Sequence, residues 1–443
     1  MPRHPDHRMA EPVTLDIYEG EQVAILGPNG SGKTRLVEIL TGRWPLLYGN
    51  EVRYDFGDDN NRLVSENIKV MTFRDSYGDA DTTYYLQKRW NQHDIDEDTP
   101  MVNGQPLISL SSGELRKYQL QRALLSHPRL LILDNPFIGL DTEARQQLRD
   151  TLEQLIREEG LQVILVVSRK KDIPNFITKV IEMKNGKLEN EKYTLPESAE
   201  EQSCSTDNGK TNFSLSTPSP FTHTILRFSH VTIRYGERTI LKDLNWTVHK
   251  GERWALSGKN GSGKSTLLSL VCADNPQAYA CDIELFGRRR GTGESIWDIK
   301  RHIGYVSPEM HRAYLKDLPA IDIVASGLHD SVGLYVRPRP EQRAQCVAWM
   351  QRFGIAELAD RPFLQLSSGE QRLCLLTRAF VKEPDLLILD EPFHGLDDER
   401  RLLATHIIED YCQKPEVTLI IVSHYAEELP HGITHSLELK KPC

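Results

Sequence analysis

The chain has 443 residues, enough for two to four domains; 39% of them are hydrophobic, 26% are charged, and the net charge is −9. This acidic balance argues against a surface built to coat nucleic acid, and no stretch reaches the roughly 18 to 20 apolar residues that span a bilayer. The seven cysteines include no CxxC pair, which excludes zinc ribbons and iron–sulfur clusters.

The motifs of the first half recur in the same order in the second half. GPNGSGKT at 27–34 returns as GKNGSGKS at 258–265, and LSSGE at 110–114 returns at 366–370. The first pair is 231 residues apart and the second pair is 256 apart, so the segment between the motifs is 25 residues longer in the second copy. Self-similarity of this kind predicts a tandem duplication, with the part between the motifs abbreviated in the first half.

Short continuous apolar runs such as LLILD and QVILVVS alternate with helical patterns in both copies. Such runs are typical of buried parallel strands, so we predict two α/β domains, 1–189 and 224–443. The segment 190–223 is rich in Ser, Thr, Asn, Glu and Pro, and it is predicted to be a flexible polar linker.

Each half carries the pattern G-x-x-x-x-G-K-[ST] between a strand and a helix. Its glycines let backbone N–H groups surround phosphate oxygens at the positive end of the helix. Lys33 and Lys264 would reach the β- and γ-phosphates, and the hydroxyls of Thr34 and Ser265 would ligate Mg²⁺. The predicted nucleotide-binding residues are Gly27, Asn29, Gly30, Ser31, Gly32, Lys33 and Thr34, and Gly258, Asn260, Gly261, Ser262, Gly263, Lys264 and Ser265.

In both halves, LLILD predicts an apolar strand that ends in a carboxylate. Asp134 and Asp390 are predicted to hold Mg²⁺, usually through water. The next residue is placed to polarise the attacking water: Glu391 can accept its proton, whereas Asn135 cannot. General-base assistance contributes on the order of 10²- to 10⁴-fold, so its loss costs roughly 3–5 kcal/mol of barrier.

A second difference between the copies also indicates that only the second half is equipped for hydrolysis. IIVSH ends at His424, whereas the matching VVSR ends at Arg169. An imidazole could hold the γ-phosphate and the water together, and an arginine cannot exchange a proton near neutral pH. We therefore predict that Glu391 and His424 are catalytic and that Asn135 and Arg169 are degenerate. The alternative for Asn135 is a sequence oddity that is compensated elsewhere.

The order of loop, LSSGE, LLILD-[EN]-P, GLD and SH resembles the ATP-binding cassette (ABC) ATPases over essentially all of both halves. The resemblance implies two P-loop NTPase domains, each with a mostly parallel sheet and a helical subdomain, that bind ATP and Mg²⁺. It also implies that each phosphate loop faces the LSSGE segment of the other half. The residues that this adds to the nucleotide sites are Ser111, Gly113, Glu114, Ser367, Gly369 and Glu370.

The resemblance also shows where the chain departs from the family. Tyr235 matches the aromatic residue that stacks on adenine, 23 residues before Gly258, whereas the same spacing in the first copy lands on His4. The first half is therefore expected to lack its first strand and adenine platform, or to have a truncated start. Pro308 and Glu309 stand where the family usually has a glutamine that contacts Mg²⁺.

The stretch DIELFGRRRGTGESIWDIKRHIGYVSPEMHRAY resembles one group within the ABC family. It is similar to tandem ATPases of the ModF-type molybdate-transport and photorepair group. Its three arginines, Arg288, Arg289 and Arg290, are interpreted either as a solvated turn or as a partner or phosphate contact.

The resemblance implies the ATP-hydrolysing component of an ABC transporter-type system, with one efficient ATP site, a separate membrane permease and molybdate as a cargo by analogy. Since the first twelve residues have no apolar core, we expect a cytoplasmic chain, peripheral at the inner face of the membrane. The alternatives are a non-transport tandem ABC ATPase acting on ribosomes or nucleic acid, and an ATP-dependent regulator. The short polar linker and Asn135 disfavour the ribosomal alternative, and the lack of zinc cysteines disfavours a DNA-repair role.

Overall fold

A computed structural model describes most of the chain. The described part runs to residue 440, with gaps at 6–7, 58–62, 73–100, 103–104, 107–111, 138–139, 141, 194–222, 237, 315–316 and 424. Within it, no helix combines the length and the apolar character that crossing a membrane requires.

The chain divides into two compact units. The first holds the described residues of Met1–Asp75, Ser112–Asn208 and Gly395–Asp398, and the second holds those of Ser76–Ser111, Gly209–His394 and Glu399–Cys443. Each unit is built on a sheet of buried parallel strands, which confirms the predicted α/β fold class.

The first half contributes eight strands to the described part. They are β1 (Val23–Leu26), β2 (Ile68–Thr72), β3 (Met101–Val102), β4 (Gln105–Pro106), β5 (Leu130–Asp134), β6 (Gln162–Val167), β7 (Lys179–Lys184) and β8 (Lys187–Tyr193). Six of them form one sheet in the order β2-β5-β6-β1-β7-β8, and β3 pairs only with β4 among the described strands. All pairs in the six-stranded sheet are parallel except β7 with β8.

The helices of the first half cover both faces of this sheet. They are α1 (Lys33–Leu40), α2 (Val64–Asn67), α3 (Ser112–Leu124) and α4 (Thr142–Glu159), with a 3₁₀ turn at Lys170–Asp172. Leu148 and Leu152 of α4 pack in one hydrophobic cluster with Leu131, while Leu36 of α1 packs in another with Ile132. Adjacent residues of LLILD thus pack into hydrophobic clusters on opposite faces of the sheet, which is why successive positions of the strand are apolar.

The strands of the second half form two sheets. They are β9 (Thr224–Tyr235), β10 (Arg238–His249), β11 (Arg253–Gly258), β12 (Asp282–Leu285), β13 (Arg288–Arg289), β14 (Ile303–Val306), β15 (Leu386–Asp390), β16 (Thr418–Val422) and β17 (His435–Leu439). The parallel sheet has the order β14-β15-β16-β11-β17, and the antiparallel sheet has the order β10-β9-β12-β13. We call the antiparallel sheet the arm sheet.

The helices of the second half are α5 (Lys264–Val271), α6 (Ile296–Lys300), α7 (Pro308–Ala313), α8 (Ala320–Ala325), α9 (Pro340–Arg352), α10 (Ser368–Phe380) and α11 (Asp398–Tyr411). Short 3₁₀ turns lie at Pro276–Ala280, Ser326–Leu328, Ala356–Leu358, Phe363–Gln365 and Ala426–Glu428. Helix α10 is buried at Gly369 and from Gln371 to Phe380, packed between α8, α9 and the sheet.

The five parallel strands of the first sheet and the five strands of the second share one order, β2-β5-β6-β1-β7 and β14-β15-β16-β11-β17, which places equivalent residues at equivalent edges. In each unit, the strand before the phosphate loop lies next to the strand that follows LLILD, since β1 neighbours β6 and β11 neighbours β16. The carboxyl ends of parallel strands meet at one edge, where ligands of α/β folds bind. Both predicted nucleotide sites begin at this edge.

The units differ in what covers the start of the phosphate-loop helix. In the second unit, a Cβ on Gly263 would lie 3.0 Å from the side chains of Ile240 and Leu241 in the arm sheet. In the first, a Cβ on Gly32 would lie 3.4 Å from Met9, which is buried. Apart from a one-residue bridge, the described residues before β1 form no strand, and the loss of the first strand or a truncated start stays a prediction.

Candidate nucleotide-binding sites

The two predicted phosphate loops connect β1 to α1 and β11 to α5, and they share a backbone form. Gly30 and Gly32 have φ angles of 80° and 98°, and Gly261 and Gly263 have φ angles of 74° and 96°. Because residues with a Cβ rarely adopt these angles, the four positions favour glycine. Each loop then leads into a helix whose first N–H groups have no partner within the helix and suit phosphate oxygens.

The first glycine of each loop lies against a neighbouring strand. A Cβ at Gly27 would stand 2.3 Å from the carbonyl oxygen of Met183, and one at Gly258 would stand 2.5 Å from that of Leu439. Real Cβ atoms do not approach a backbone oxygen so closely. The loops are therefore seated on β7 and β17 at positions that only glycine fits.

A buried serine hydroxyl occurs at the same place in both loops. The Oγ atoms of Ser31 and Ser262 are shielded from solvent and find no hydrogen-bond partner among the described residues. Buried polar atoms are nearly always satisfied, so an unpaired pair at equivalent positions indicates a ligand oxygen as the partner. The loops therefore fit a bound phosphate.

Both loop lysines are buried and fold back on their own loop. The Nζ of Lys33 donates to the carbonyl oxygens of Gly27 and Pro28 at 2.5 and 2.8 Å, and that of Lys264 makes the equivalent contacts at 2.6 and 3.2 Å. The ammonium groups thus stand inside the loops, where a phosphate could replace the carbonyls as their partner.

The remaining loop residues flank this cradle. Thr34 and Ser265 are the second residues of α1 and α5, next to the lysines. Asn29 accepts a hydrogen bond from the Oγ of Ser168 at 3.2 Å, which ties the loop to the end of β6. Asn260 holds the matching position in the second loop.

The residues after LLILD have the same backbone and different side chains. Asn135 and Glu391 are both left-handed, with φ angles of 52° and 48°. The N–H of Asn135 donates to the carbonyl oxygen of Val166 in β6 at 2.8 Å. The N–H of Glu391 donates to the carbonyl oxygen of Val422 in β16 at 3.0 Å. In the first half, the Nδ2 of Asn135 also donates to the Oδ1 of Asp134 at 2.9 Å, whereas Glu391 offers carboxylate oxygens next to Asp390.

Arg169 is part of a half-buried ion cluster. Its Nε donates to one oxygen of Asp172 at 3.0 Å, and Arg145 donates to the other at 2.6 Å. All three side chains are about one-tenth exposed. Arg169 therefore stabilises the turn after β6. Counted from the registers of β6 and β16 against the strands of LLILD, Ser168 and not Arg169 takes the position of His424, which itself lies outside the described residues.

The LSSGE segment of the second half caps α10. The Ser367 Oγ accepts from the Glu370 N–H at 3.4 Å, and Glu370 accepts from the Ser367 N–H at 2.9 Å and from its hydroxyl at 2.8 Å. Arg400 pairs with the other oxygen of Glu370 at 3.4 Å. This is the capping box that the motif predicts, and it leaves the first amides of the helix, including that of Gly369, for a ligand.

The first-half copy of this segment is only partly described. Ser111 lies outside the described residues, and Gly113 and Glu114 are described only as backbone in α3. That each LSSGE segment completes a site on the opposite phosphate loop stays a prediction.

Tyr235 is the last residue of β9 and pairs with Arg238 where the chain turns into β10. It is partly buried against the hydrophobic cluster of the second unit, and its hydroxyl accepts from the Nδ2 of Asn275 at 2.9 Å. These contacts fix the orientation of the ring, as a platform for a nucleobase requires.

The three neighbouring arginines do not act as one group. Arg288 and Arg289 are exposed in β13, in line with a solvated turn. Arg290 is buried in an ion pair with Glu294 at 2.6 Å, and its guanidinium lies over the ring of Tyr279. Arg290 is therefore a structural residue of the arm sheet.

Two buried arginines, one in each half, contact the segment after LLILD and were not predicted from the sequence. Arg116 and Arg372 each lie two positions after LSSGE and are 3% and 1% exposed. Both donate to the backbone of the segment after LLILD, at Pro136 and Pro392. The signal that could have found them is the same basic residue at the same offset in both copies.

Known proteins are similar to this chain along nearly its whole length. The family model described as ABC transporter matches residues 10–138 and 241–394. The ABC transporter ATP-binding protein ModF of Escherichia coli (strain K12) is 36% identical, over 96% of this chain and 92% of that protein. An uncharacterized ABC transporter ATP-binding protein of Schizosaccharomyces pombe is 30% identical, over 94% of this chain and 92% of that protein.

Among solved structures, a nucleotide-free ATP-binding cassette from an ABC transporter aligns with 49% of this chain and 87% of its own, at 19% identity and a TM-score of 0.42. The two regions matched by the family model contain both phosphate loops and both aspartates that end LLILD. Cassettes of this family bind and hydrolyse ATP. The chain belongs to the ABC transporter family and is a tandem ABC-type ATPase.

Proposed function

We propose that the chain is the ATP-hydrolysing component of an ABC transporter-type system, with two unequal ATP sites. One site is built on the phosphate loop at 27–34 and holds ATP, and the other is built on the loop at 258–265 and hydrolyses it. The observation that carries this proposal is the pair Asn135 and Glu391. Both residues have a left-handed φ, but the carboxylate of Glu391 can accept a proton and the amide of Asn135 cannot.

A magnesium ion would be held by oxygen atoms already present at each loop. The donors would be Thr34 and Asp134 in the first site, and Ser265 and Asp390 in the second. Hydroxyl and carboxylate oxygens together with nucleotide phosphates are the set that Mg²⁺ prefers in P-loop ATPases. When bound, the ion would neutralise charge on the β- and γ-phosphates.

The chain's own residues would then divide the work of hydrolysis. Lys264 and the loop amides orient the γ-phosphate, and Glu391 takes a proton from the attacking water. At the first site, the amide of Asn135 donates to Asp134 and has no group that accepts a proton at neutral pH. The two sites would therefore bind ATP alike and differ in turnover.

The names of the similar proteins support a transport-type role. Both relatives described above are named ABC transporter ATP-binding proteins, and they match this chain along nearly all of their length. We propose a separate membrane permease as partner, which would place the chain at the inner face of the cell membrane. Molybdate is the proposed cargo, by the resemblance of the second half to the ModF-type molybdate-transport group alone.

The unequal sites can be tested with two matched substitutions in the full chain. Glu391→Gln keeps the size of the side chain and removes the proton acceptor, so kcat for Mg-dependent ATP hydrolysis should fall about 10²- to 10⁴-fold. Asn135→Ala removes only an amide and should leave kcat within about threefold.

Steady-state phosphate release and the binding of a fluorescent ATP analogue should be measured on both variants. Binding should be retained in each. Equal losses of kcat in the two variants would contradict the asymmetry, and retained hydrolysis in Glu391→Gln would remove Glu391 from the mechanism.

A further inference from the structure

Arg372 lies where three parts of the second unit meet. It stands in the first turns of α10, two residues after Glu370, and it is the largest side chain in the described part that is almost fully buried, at 1% exposure. A guanidinium remains charged at any physiological pH, so its burial requires strong acceptors around it.

The acceptors are backbone carbonyl oxygens on both sides of the hydrolytic residue. The Nη2 of Arg372 donates to Asp390 at 2.8 Å and to Glu391 at 2.5 Å, and its Nε donates to Pro392 at 3.2 Å. Three consecutive carbonyl groups are thus held by one planar cation. A charge-assisted contact of this kind is about twice as strong as a neutral one.

A fourth contact reaches a different strand. The Nη1 of Arg372 donates to the carbonyl oxygen of Ser307 at 3.0 Å. Ser307 follows β14 and caps α7 through its Oγ, which accepts from the N–H of Met310 at 3.1 Å. Arg372 therefore joins the helix that begins at LSSGE, the residues around Glu391 and the start of α7.

The backbone that Arg372 holds is one that a glutamate adopts with difficulty. Glu391 has a φ of 48°, and such left-handed conformations persist only where their surroundings determine them. The N–H of Glu391 is fixed by β16, and its carbonyl is fixed by Arg372. Together these two contacts hold the peptide groups on both sides of the side chain.

We propose that Arg372 is a positioning residue for ATP hydrolysis, which acts by fixing the backbone from Asp390 to Pro392 so that the Glu391 carboxylate stands where the attacking water binds. This inference rests on the role of Glu391 in the proposed function. A displacement of about 1 Å at a reacting group can cost about 10²-fold in rate, so the contact matters for kcat more than for nucleotide binding.

The same helix offers a matched control. Arg378 is 2% exposed, and its guanidinium donates to the Oγ of Ser326 at 3.1 Å and to the carbonyl oxygen of Ser331 at 3.2 Å. It also contacts the Sδ of Met310 at 3.3 Å. Arg378 is thus buried like Arg372, but its hydrogen-bond partners are Ser326 and Ser331 and not the residues around Glu391.

The test compares Arg372→Lys with Arg378→Lys in the full chain. Lysine keeps the charge and loses the planar fork, so both variants should lose some resistance to urea. Arg372→Lys should lower kcat for Mg-ATP hydrolysis about 10- to 100-fold with KM within about twofold. Arg378→Lys should leave kcat within about twofold. If Arg372→Lys does not fold, Arg372→Gln, which keeps two donors, replaces it with the same expected loss.

A double variant separates this inference from the proposed function. If Arg372 acts through Glu391, adding Arg372→Lys to Glu391→Gln should lower kcat no further, because the effects of residues that act as a unit are not additive. A further 10-fold loss in the double variant, or equal kcat in the two lysine variants, would overturn the positioning role. Full hydrolysis in Glu391→Gln alone would instead refute the proposed function.

Discussion

At the position after LLILD, Asn135 and Glu391 have the same left-handed backbone. Asparagine is several-fold enriched in this region, whereas for a residue such as glutamate it costs roughly 1–2 kcal/mol. Strained residues of this kind cluster at functional sites. The copy that keeps the unfavourable residue is the one in which the proposed function requires a carboxylate, and the other copy has the residue that suits the turn.

Lys382, just after α10, lies in a buried ion pair. Its ammonium contacts the carboxylate of Asp330 and donates to the carbonyl oxygen of Lys300 at 2.6 Å. Burial lowers the pKa of Lys382 to about 8, and the charge of Asp330 opposes that shift. Between pH 8 and the ordinary lysine range, the unfolded chain therefore binds more protons at this group than the folded chain.

The sign of the pH effect follows from this difference in bound protons. Since the pKa of Lys382 is lower in the folded state, its contribution to the free energy of unfolding should rise as pH increases from about 8 towards 10. Urea unfolding at pH 7.5 and pH 9.5 should therefore show a larger gain in the wild-type chain than in Lys382→Gln. The same pH response in both proteins would mean that the folded amine keeps its proton.

At the scale of the elements, an aromatic cluster joins α9, α10 and α11. The ring centroids of Trp349 and Phe380 lie 5.4 Å apart, and those of Phe380 and Tyr411 lie 5.1 Å apart. Trp349 is 4% exposed. These rings fix α10, the helix that carries both LSSGE and Arg372, against its neighbours.

Removing one ring of this cluster should loosen the packing of the three helices. Trp349→Ala should lower the free energy of unfolding by roughly 3–5 kcal/mol, because it opens a cavity between three helices. Trp297→Ala is the matched control: that side chain is 60% exposed, so the loss should stay within about 1 kcal/mol. Urea denaturation of both variants measures the difference, and similar losses would show that the cluster contributes little.

Much of the fold was predictable, because its signals are local. The repeated LLILD runs are strands, the glycine patterns are loops with positive φ, and LSSGE begins a capped helix. Each of these depends on residues within about ten positions of one another.

Other features depend on contacts that no local pattern encodes. Arg372 meets Ser307, 65 positions away, and the ion cluster of Arg169 includes Arg145. Strand β8 runs to Tyr193, so its last residues, 190–193, fall within the segment predicted to be a linker. Pairing with β7 orders these polar residues through backbone hydrogen bonds, which composition does not reveal.

At the scale of the whole molecule, one strand order occurs twice in a chain whose two halves are no longer equivalent. The second half has the arm sheet with Tyr235 and the carboxylate of Glu391, whereas in the first half Met9 takes part of the place of the arm sheet. A transport-type ATPase of this form would work on a partner, and the partner is the part of the proposed function that needs a separate test.

The proposed permease predicts what the full chain should capture. Glu391→Gln, loaded with Mg-ATP and mixed with detergent-treated membranes, should retain a protein with several membrane-spanning helices, identified by mass spectrometry. Lys264→Ala, which should lose nucleotide at the second loop, is the control and should capture less of it. Ribosomal proteins or nucleic acid without a membrane protein would instead favour the non-transport alternative.

The fusion of the two cassettes has a consequence for how they can evolve. In an assembly of two identical chains, a change from glutamate to asparagine would strike both sites at once and halt turnover. Because Asn135 and Glu391 are encoded in one gene, such a change can be inherited at one site alone. Translation also delivers the two cassettes in equal number.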